Sequence, residues 1–201
     1  MKSKAGKIRT AVIASVVFLA LLAVGVYSLI VISDRSMYEL KLSQHPLSYS
    51  EYVEKYSEEY GIDKYVIYAV IKTESGFDPN AVSDTGARGL MQIMEPTFDW
   101  INYRLGDGET VVYDDMFDPG TNIRYGAYLM DYLTDYFGCV DTAAAAYFSG
   151  IGQVSEWVGS EEFSKDGIHL DTIPSKSAAH YVNKINNALT AYYELYAGER
   201  N

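Results

Sequence analysis

The sequence predicts a mainly helical domain with at most a small β element, preceded by one transmembrane helix. Two observations lead to this prediction. The stretch from Ala11 to Ile32 is apolar and uncharged, and apolar residues recur at three- and four-residue spacing through most of the chain after Tyr49. Alternating, strand-like patterns are short, and the best of them is Glu109 to Tyr113. The 201 residues allow one ordinary domain with a core, or a smaller domain with a tail.

The apolar stretch is long enough to cross a bilayer. Its 22 residues, Ala11 to Ile32, would span about 33 Å as a helix, against roughly 30 Å of hydrocarbon. A cleaved signal peptide is the alternative, but its apolar region usually runs only about 7–15 residues. Four basic residues precede the span within residues 1–10, and Asp34 follows it. The positive-inside rule therefore predicts a cytoplasmic amino terminus and a single-pass protein of the cell membrane, whose domain lies outside the cytoplasm.

Charge and composition exclude several classes of function. The chain has 16 Lys and Arg against 27 Asp and Glu, a formal charge of −11, and the part after residue 10 carries −15. A domain this acidic is a poor candidate for nucleic-acid binding, since contacts to phosphates supply most of that affinity. Cys139 is the only cysteine, which excludes a disulfide framework. We expect no metal and no cofactor, because the histidines are scattered and no phosphate-binding glycine loop occurs.

Helix signals organise the rest of the chain. Residues 33–48 lack clean periodicity and contain a proline, so they are predicted to be a linker before a domain at 49–201. Asp63 is a plausible N-cap for a helix from Lys64 to about Ser75. Further helices are predicted within Met116 to Phe137, where Asp118-Pro119 is the start, after a cap at Asp141, and from Ala178 to Tyr196. Glycine-rich breaks separate these pieces.

Glu74 is the candidate for chemistry. It continues an apolar stripe, because it lies three, four and seven residues after Ile71, Val70 and Ile67. A carboxyl on that face would be partly desolvated, which raises its pKa and keeps it protonated longer. Acid cleavage of a glycosidic bond requires such a protonated carboxyl. The alternative is a glutamate that ends a helix and faces water, and periodicity alone leaves both interpretations open.

Motifs around and after Glu74 resemble a known family. They occur in this order: Glu74-Ser75-Gly76-Phe77, then Gly86 to Thr97 with its Gly-Leu-Met-Gln-Ile-Met run, Asp118-Pro119 with Asn122 and Gly126, Ala146 to Gly150, and Tyr181-Val182. Together they resemble the SLT (soluble lytic transglycosylase) domain, which has a goose-lysozyme-like helical fold. The Glu-Ser pair alone is a weak signal, whereas the Gly-Leu-Met-Gln-Ile-Met run is specific. The resemblance covers about Tyr49 to Tyr196, so the anchor and the linker lie outside it.

The resemblance implies a catalytic residue and a set of substrate-binding residues. Glu74 corresponds to the single acid/base of the family. The positions that match the family's cleft are Ser83, Gln92, Met94, Tyr147, Phe148 and Tyr181. The implied substrate is the peptidoglycan glycan strand, cut at the β-1,4 bond between N-acetylmuramic acid and N-acetylglucosamine. Glu74 would protonate the bridging oxygen and then deprotonate the C6 hydroxyl, which closes onto C1 as a 1,6-anhydro end.

Two positions depart from the family pattern. Phe148 stands where the family has an asparagine, and Ser177 stands where it usually has a glutamate. These departures keep two alternatives open. One is a muramidase that hydrolyses the same bond with water held by a second carboxylate, such as Asp99, Asp107 or Asp114. The other is a non-catalytic peptidoglycan-binding scaffold.

Aromatic residues are abundant, with 19 Tyr, 7 Phe and 2 Trp. Rings such as Tyr103, Tyr147 and Trp157 could stack on sugar faces, although core packing is the commoner role of an aromatic side chain. Because the domain is acidic, long-range attraction of an anionic wall polymer is not expected. We therefore predict recognition by stacking and hydrogen bonds, with the membrane tether supplying a high local concentration.

Overall fold

The computed structural model describes residues 4–199. Lys2, one of the four basic residues of the predicted cytoplasmic segment, lies outside the described part. The chain divides into two compact units, with the boundary between Pro46 and Leu47.

The first unit is one long helix, α1, from Lys4 to Gln44. Its segment Val17–Gln44 is long and apolar enough to cross a membrane, because it contains an 18-residue window with a mean hydropathy of 2.3, none of which is buried in the structure. The predicted linker at 33–48 is corrected, because the helix continues without a break to Gln44. No glycine or proline occurs between Ser33 and Gln44, and the helix ends just before the His45-Pro46 pair, where proline disfavours helical backbone.

The second unit is helical within the described residues. Its helices are α2 (Ser50–Tyr60), α3 (Lys64–Glu74), α4 (Glu95–Leu105), α5 (Pro119–Phe137), α6 (Val140–Ser149), α7 (Ile151–Val158) and α8 (Lys176–Tyr196). Short 3-10 turns lie at Gly108–Thr110, Tyr113–Phe117 and Ala197–Glu199. Two isolated β-bridges, from Arg88 to Val82 and to Ile93, are the small β element. The predicted mainly helical fold is thus confirmed.

Most predicted helix starts agree with the structure. The Asp63 side chain accepts a hydrogen bond from the Tyr65 amide and begins α3, and Asp118 accepts one from the Thr121 amide and begins α5. Helix α8 begins two residues earlier than predicted, where the Ser175 side chain caps the Ala178 amide. The predicted cap at Asp141 is wrong, because this residue lies inside the first turn of α6 and Cys139 holds the N-cap position.

The strand predicted at Glu109 to Tyr113 is also wrong. Two 3-10 turns flank Val111 and Val112 in this segment. The buried Asn102 amide donates to the carbonyls of Gly108 and Val111, at 3.1 and 2.9 Å. These bonds satisfy the loop carbonyls, so the segment needs no partner strand.

Helix α3 is the centre of the core. It packs against α8, α2 and α5, while α6 packs against both α5 and α8. Seven consecutive residues of α3, from Tyr65 to Ile71, are buried. A helix that is apolar all round belongs in the interior, so α3 is held on all sides. Its last residue is Glu74, which places that carboxyl where the core meets the surface.

Candidate active site

The Glu74 carboxyl is half-buried and hydrogen-bonded. The hydroxyl of Tyr181, on α8, donates to its Oε1 at 2.6 Å. Burial raises the pKa of Glu74 from 4.5 to about 7, while the Tyr181 hydrogen bond and the positive charge of Lys184 act in the opposite direction. The predicted desolvation is therefore confirmed, and burial lets the Glu74 carboxyl keep its proton at a higher pH than an exposed glutamate would.

Two tyrosines lie close to this carboxyl, and a phenylalanine packs against one of them. Tyr181 is only 6% exposed, and its ring stacks on that of Phe148 with 5.0 Å between centroids. Burial, and then the charge of Glu74, raise the pKa of Tyr147 far above its ordinary value. We call Glu74, Tyr147, Phe148 and Tyr181 the Glu74 cluster. The structure brings together these four predicted site residues from α3, α6 and α8.

The predicted residues Ser83, Gln92 and Met94 lie on the loop between α3 and α4. The Ser83 hydroxyl accepts a hydrogen bond from the Ala87 amide at 3.0 Å and so fixes a turn. Ser83 also shares a hydrogen bond with Thr85, whose hydroxyl lies 3.8 Å from the Met94 sulfur.

Gln92 shapes the same loop through its backbone and its amide. Its backbone has a φ of 49°, which is unusual for a residue with a side chain. The Gln92 amide donates to the carbonyls of Ala81 and Gly89 at 3.1 and 3.0 Å, which holds this conformation. The side chain thus has a structural role in the loop, and its contact with substrate stays a prediction.

Two hydrogen bonds join this loop to the helices that carry the cluster. The Tyr147 hydroxyl donates to the Met91 carbonyl at 2.7 Å, and the Ser75 hydroxyl donates to the Leu90 carbonyl at 2.8 Å. Ser75 directly follows Glu74, so the Glu-Ser pair ties the end of α3 to the Gly-Leu-Met-Gln-Ile-Met run.

The specific Gly-Leu-Met run is explained by its packing on α5. Asn122 is fully buried and uses its whole side-chain amide: it accepts from the Met91 amide at 2.7 Å and donates to the carbonyls of Arg88 and Met116 at 3.0 and 2.8 Å. A Cβ on Gly89 would lie 2.0 Å from the Met116 carbonyl oxygen, and one on Gly126 would lie 2.2 Å from the Met91 sulfur. We call Gly89, Met91, Asn122 and Gly126 the loop seat.

Sequence reasoning missed two contributors to the site. Lys184 lowers the pKa of Glu74 by its charge. It lies three residues after Tyr181 on α8, and helical spacing could have found it. The role of Asn122 had no local signal, because two of its three partners, the Met91 amide and the Arg88 carbonyl, lie 31 and 34 residues earlier.

Other carboxylates considered as partners of Glu74 are engaged elsewhere or exposed. Asp107 receives two hydrogen bonds from Arg124, at 2.7 and 3.1 Å, and one from Tyr125 at 2.8 Å. Asp114 pairs with Arg88 at 2.6 Å. Asp99 lies on the exposed side of α4.

The three aromatic residues that were candidates for stacking on sugars differ in burial and position. Trp157 is buried in the core, as packing would require, whereas Tyr103 is 87% exposed. Tyr147 belongs to the Glu74 cluster and also lines a cavity of about 290 Å³ between α4, α5 and the start of α7. Trp100, Leu129 and Ile151 line the same cavity.

Comparison with known proteins identifies the same family that the sequence motifs resemble. The family described as Transglycosylase SLT domain matches residues 51–169. The soluble lytic murein transglycosylase of Salmonella typhimurium is 31% identical over 77% of this chain, which spans 24% of that protein. The membrane-bound lytic murein transglycosylase C of Serratia proteamaculans is 31% identical over 75% of this chain, which spans 48% of it.

A solved structure agrees in fold. The 70-kDa soluble lytic transglycosylase of Escherichia coli superimposes with a TM-score of 0.69 and 25% identity over 79% of this chain and 26% of that one. The chain thus spans between about a quarter and a half of the relatives it matches. Since the family match covers more than half of the sequence and includes Glu74 and the loop seat, this chain belongs to the transglycosylase SLT domain family.

Proposed function

We propose that this protein is a membrane-anchored peptidoglycan lytic transglycosylase with Glu74 as its single acid/base. The observation that carries the proposal is the half-buried Glu74 carboxyl, whose pKa is raised to about 7. The murein transglycosylase names of its relatives support the substrate class. The proposed scissile bond is the β-1,4 link between N-acetylmuramic acid and N-acetylglucosamine.

In the first step, protonated Glu74 donates its proton to the bridging oxygen. The C1–O bond breaks, the N-acetylglucosamine part leaves as an alcohol, and the substrate's own acetamido group stabilises C1. Burial supplies the proton at neutral pH, because it disfavours the charged carboxylate. The Tyr181 hydroxyl stays bonded to Oε1 and stabilises the carboxylate that forms.

In the second step, the Glu74 carboxylate removes the proton from the C6 hydroxyl of the muramyl sugar. The C6 oxygen closes onto C1 and gives the 1,6-anhydro end, while Glu74 regains its proton. No water enters the product, so one carboxylate is sufficient, unlike in most glycosidases. The engagement of Asp107 and Asp114 by arginines supports this assignment over a two-carboxylate muramidase.

Phe148 has two proposed roles. Its ring stacks on Tyr181 and so limits where the Tyr181 hydroxyl meets Glu74. It is also 48% exposed, so it offers an aromatic face to a sugar beside the carboxyl. The family asparagine would supply an amide here, and Phe148 replaces hydrogen bonding with stacking.

The location of the reaction follows from α1. Its apolar segment and the membrane-bound relative suggest membrane anchoring. We propose that α1 crosses the membrane with residues 1–10 in the cytoplasm and holds the SLT domain on the outer side. The bilayer and the glycan strand are then the two partners of the chain.

Mass spectrometry of the glycan ends tests this proposal. Detergent-solubilised full-length protein is incubated with purified sacculi, and the released muropeptides are analysed. The proposal predicts 1,6-anhydro-muramyl ends, whereas reducing ends would identify a muramidase and no release would identify a scaffold.

The Glu74→Gln variant keeps the size of the side chain but replaces the carboxyl with an amide, which cannot act as the acid or the base. We expect turnover to fall at least about 10³-fold, since general acid/base catalysis contributes on this scale. Glu58→Gln, the same substitution at an exposed position of α2, is the matched control and should leave turnover unchanged.

A further inference from the structure

Aromatic side chains of α4 and α5 form a connected set of rings. Trp100 packs edge-on to Tyr132 with centroids 4.9 Å apart, and its ring also lies 6.3 Å from that of Tyr128. Tyr132 stacks on Tyr136 at 6.2 Å. The three tyrosines are spaced four residues apart, so they lie in one row on α5. We call Trp100, Tyr128, Tyr132 and Tyr136 the aromatic strip.

The strip is accessible and has a hydrogen-bond donor of its own. Tyr136 is 56% exposed, and the other three side chains are half-buried. The exposed Arg104 lies over the rings of Trp100 and Tyr132, at 5.1 and 4.9 Å, and donates to the Tyr128 hydroxyl at 2.7 Å. Partly exposed rings beside an exposed guanidinium suit a ligand with both C–H faces and hydroxyls, which describes a carbohydrate.

The strip reaches the Glu74 cluster through Trp100. Trp100 forms one wall of the cavity of about 290 Å³, and Tyr147 forms another. Tyr147 is close enough to Glu74 for the charge of the carboxyl to affect it. A ligand could therefore extend from Glu74 past Tyr147 and Trp100 onto the tyrosine row. The cavity is at the lower end of the size of ligand pockets, roughly 300 Å³, which suits one sugar unit.

We propose that the aromatic strip binds the part of the glycan strand that is distant from the scissile bond. This inference rests on the proposed function and names a second binding region for the same substrate. Sugar faces pack on the tyrosine row, and Arg104 donates hydrogen bonds to sugar hydroxyls. A row of rings, rather than a round patch, fits a linear polymer.

Binding measurements separate this region from the Glu74 cluster. All variants are made in full-length Glu74→Gln protein, so that the ligand is not cleaved during the measurement. The test variant is Tyr132→Ser with Tyr136→Ser, and Tyr136→Ser alone serves if the pair does not fold. The control is Tyr193→Ser, because Tyr193 is 41% exposed on α8 and contacts Tyr65 and Asp63, outside both the aromatic strip and the Glu74 cluster. The ligands are uncrosslinked long glycan strands and a muropeptide tetrasaccharide.

We expect the test variant to bind long strands roughly tenfold more weakly, since it loses two ring faces on which sugars stack. Binding of the tetrasaccharide, and binding of both ligands by the control, should not change. Equal binding of long strands by test and control would overturn the inference, as would an equal loss for both ligands. The mass-spectrometric analysis of products made by the unmodified protein tests the proposed function separately. If the strip does not bind glycan but the proposed function is correct, the protein still releases products with anhydro ends.

Discussion

The loop seat and the Glu74 cluster both bury polar groups, but they differ in how far hydrogen bonds compensate for that burial. In the loop seat, Asn122 is fully buried and each polar atom of its amide has a partner. In the cluster, Glu74 is half-buried and accepts a hydrogen bond from Tyr181, and burial raises its pKa to about 7. The loop seat stabilises one backbone conformation. The Glu74 cluster instead holds a carboxyl whose ionised form is destabilised by burial.

The difference teaches how the site is built. A fully satisfied buried amide is stable and specific, because breaking any of its bonds leaves a buried polar group unpaired. A carboxyl that is desolvated without full compensation is less stable but holds its proton at neutral pH. The loop seat can therefore supply the rigidity on which the destabilised Glu74 depends, and each prediction below tests one side of this comparison.

The largest effect is expected in the loop seat. Gly89→Ala would place a Cβ 2.0 Å from the Met116 carbonyl oxygen and 2.3 Å from the Asn122 amide nitrogen, on a backbone with a φ of 75°. We expect the free energy of unfolding to fall by about 3 kcal/mol or more. Gly86→Ala is the control, because its φ is 90° but nothing lies within 4 Å of the new Cβ. It should cost only about 1–2 kcal/mol. Chemical unfolding of both variants checks this, and equal losses would contradict the tight fit of the seat.

The next effect is a gain of stability in the cluster. The folded-state pKa of Glu74 lies above 4.5, the ordinary value of an exposed glutamate. Folding therefore favours the proton, and the stability of the native protein falls as pH rises from about 4.5 to about 7. Glu74→Gln removes this loss, so it should raise the free energy of unfolding by about 2 kcal/mol at pH 8 and change it little at pH 4. A variant that is less stable than the native protein at pH 8 would show that Glu74 is not desolvated.

A smaller effect is expected from the hydrogen bond to Glu74. The Tyr181 hydroxyl lowers the pKa of Glu74, so Tyr181→Phe should raise it. The upper limb of the pH dependence of kcat/KM, which reports protonated Glu74 in the free enzyme, should move upward by roughly one unit. Tyr193→Phe is the control, since it removes a tyrosine–carboxylate hydrogen bond from the same helix but to Asp63. A limb that does not move in Tyr181→Phe would assign the titration to another group.

The smallest effect is expected from salt. The chain carries a formal charge of −11, so we expect no long-range attraction of anionic wall polymers. Strand binding through stacking and hydrogen bonds should change less than about twofold between low and physiological ionic strength. A steep fall in binding with added salt would show that charged contacts dominate recognition instead.

The sequence predicted those parts of the fold that depend on local signals. The caps at Asp63 and Asp118 were found because an acidic side chain stands just before an apolar periodic run. The position of Glu74 on a buried stripe was found from spacing, and the pKa of its carboxyl follows from that burial. The family motif then identified most of the loop and of the cluster.

The parts that were wrong or missed depend on distant contacts. The segment Glu109 to Tyr113 has a strand-like pattern, but hydrogen bonds from Asn102 hold it in turns. The predicted linker is helical to Gln44, because lack of periodicity does not stop a helix that no glycine or proline interrupts. The aromatic strip joins two helices, and its tyrosine row could be found from spacing while its contact with Trp100 could not.

The central claim is that Glu74 holds its proton near neutral pH, and a direct titration tests it. Glutamate side chains of the full-length protein are labelled with ¹³C, and the signal that is missing in Glu74→Gln identifies the residue. The account predicts a titration midpoint near pH 7. A midpoint near 4.5, the value of an exposed glutamate, would contradict it and remove the physical basis for acid catalysis by this chain.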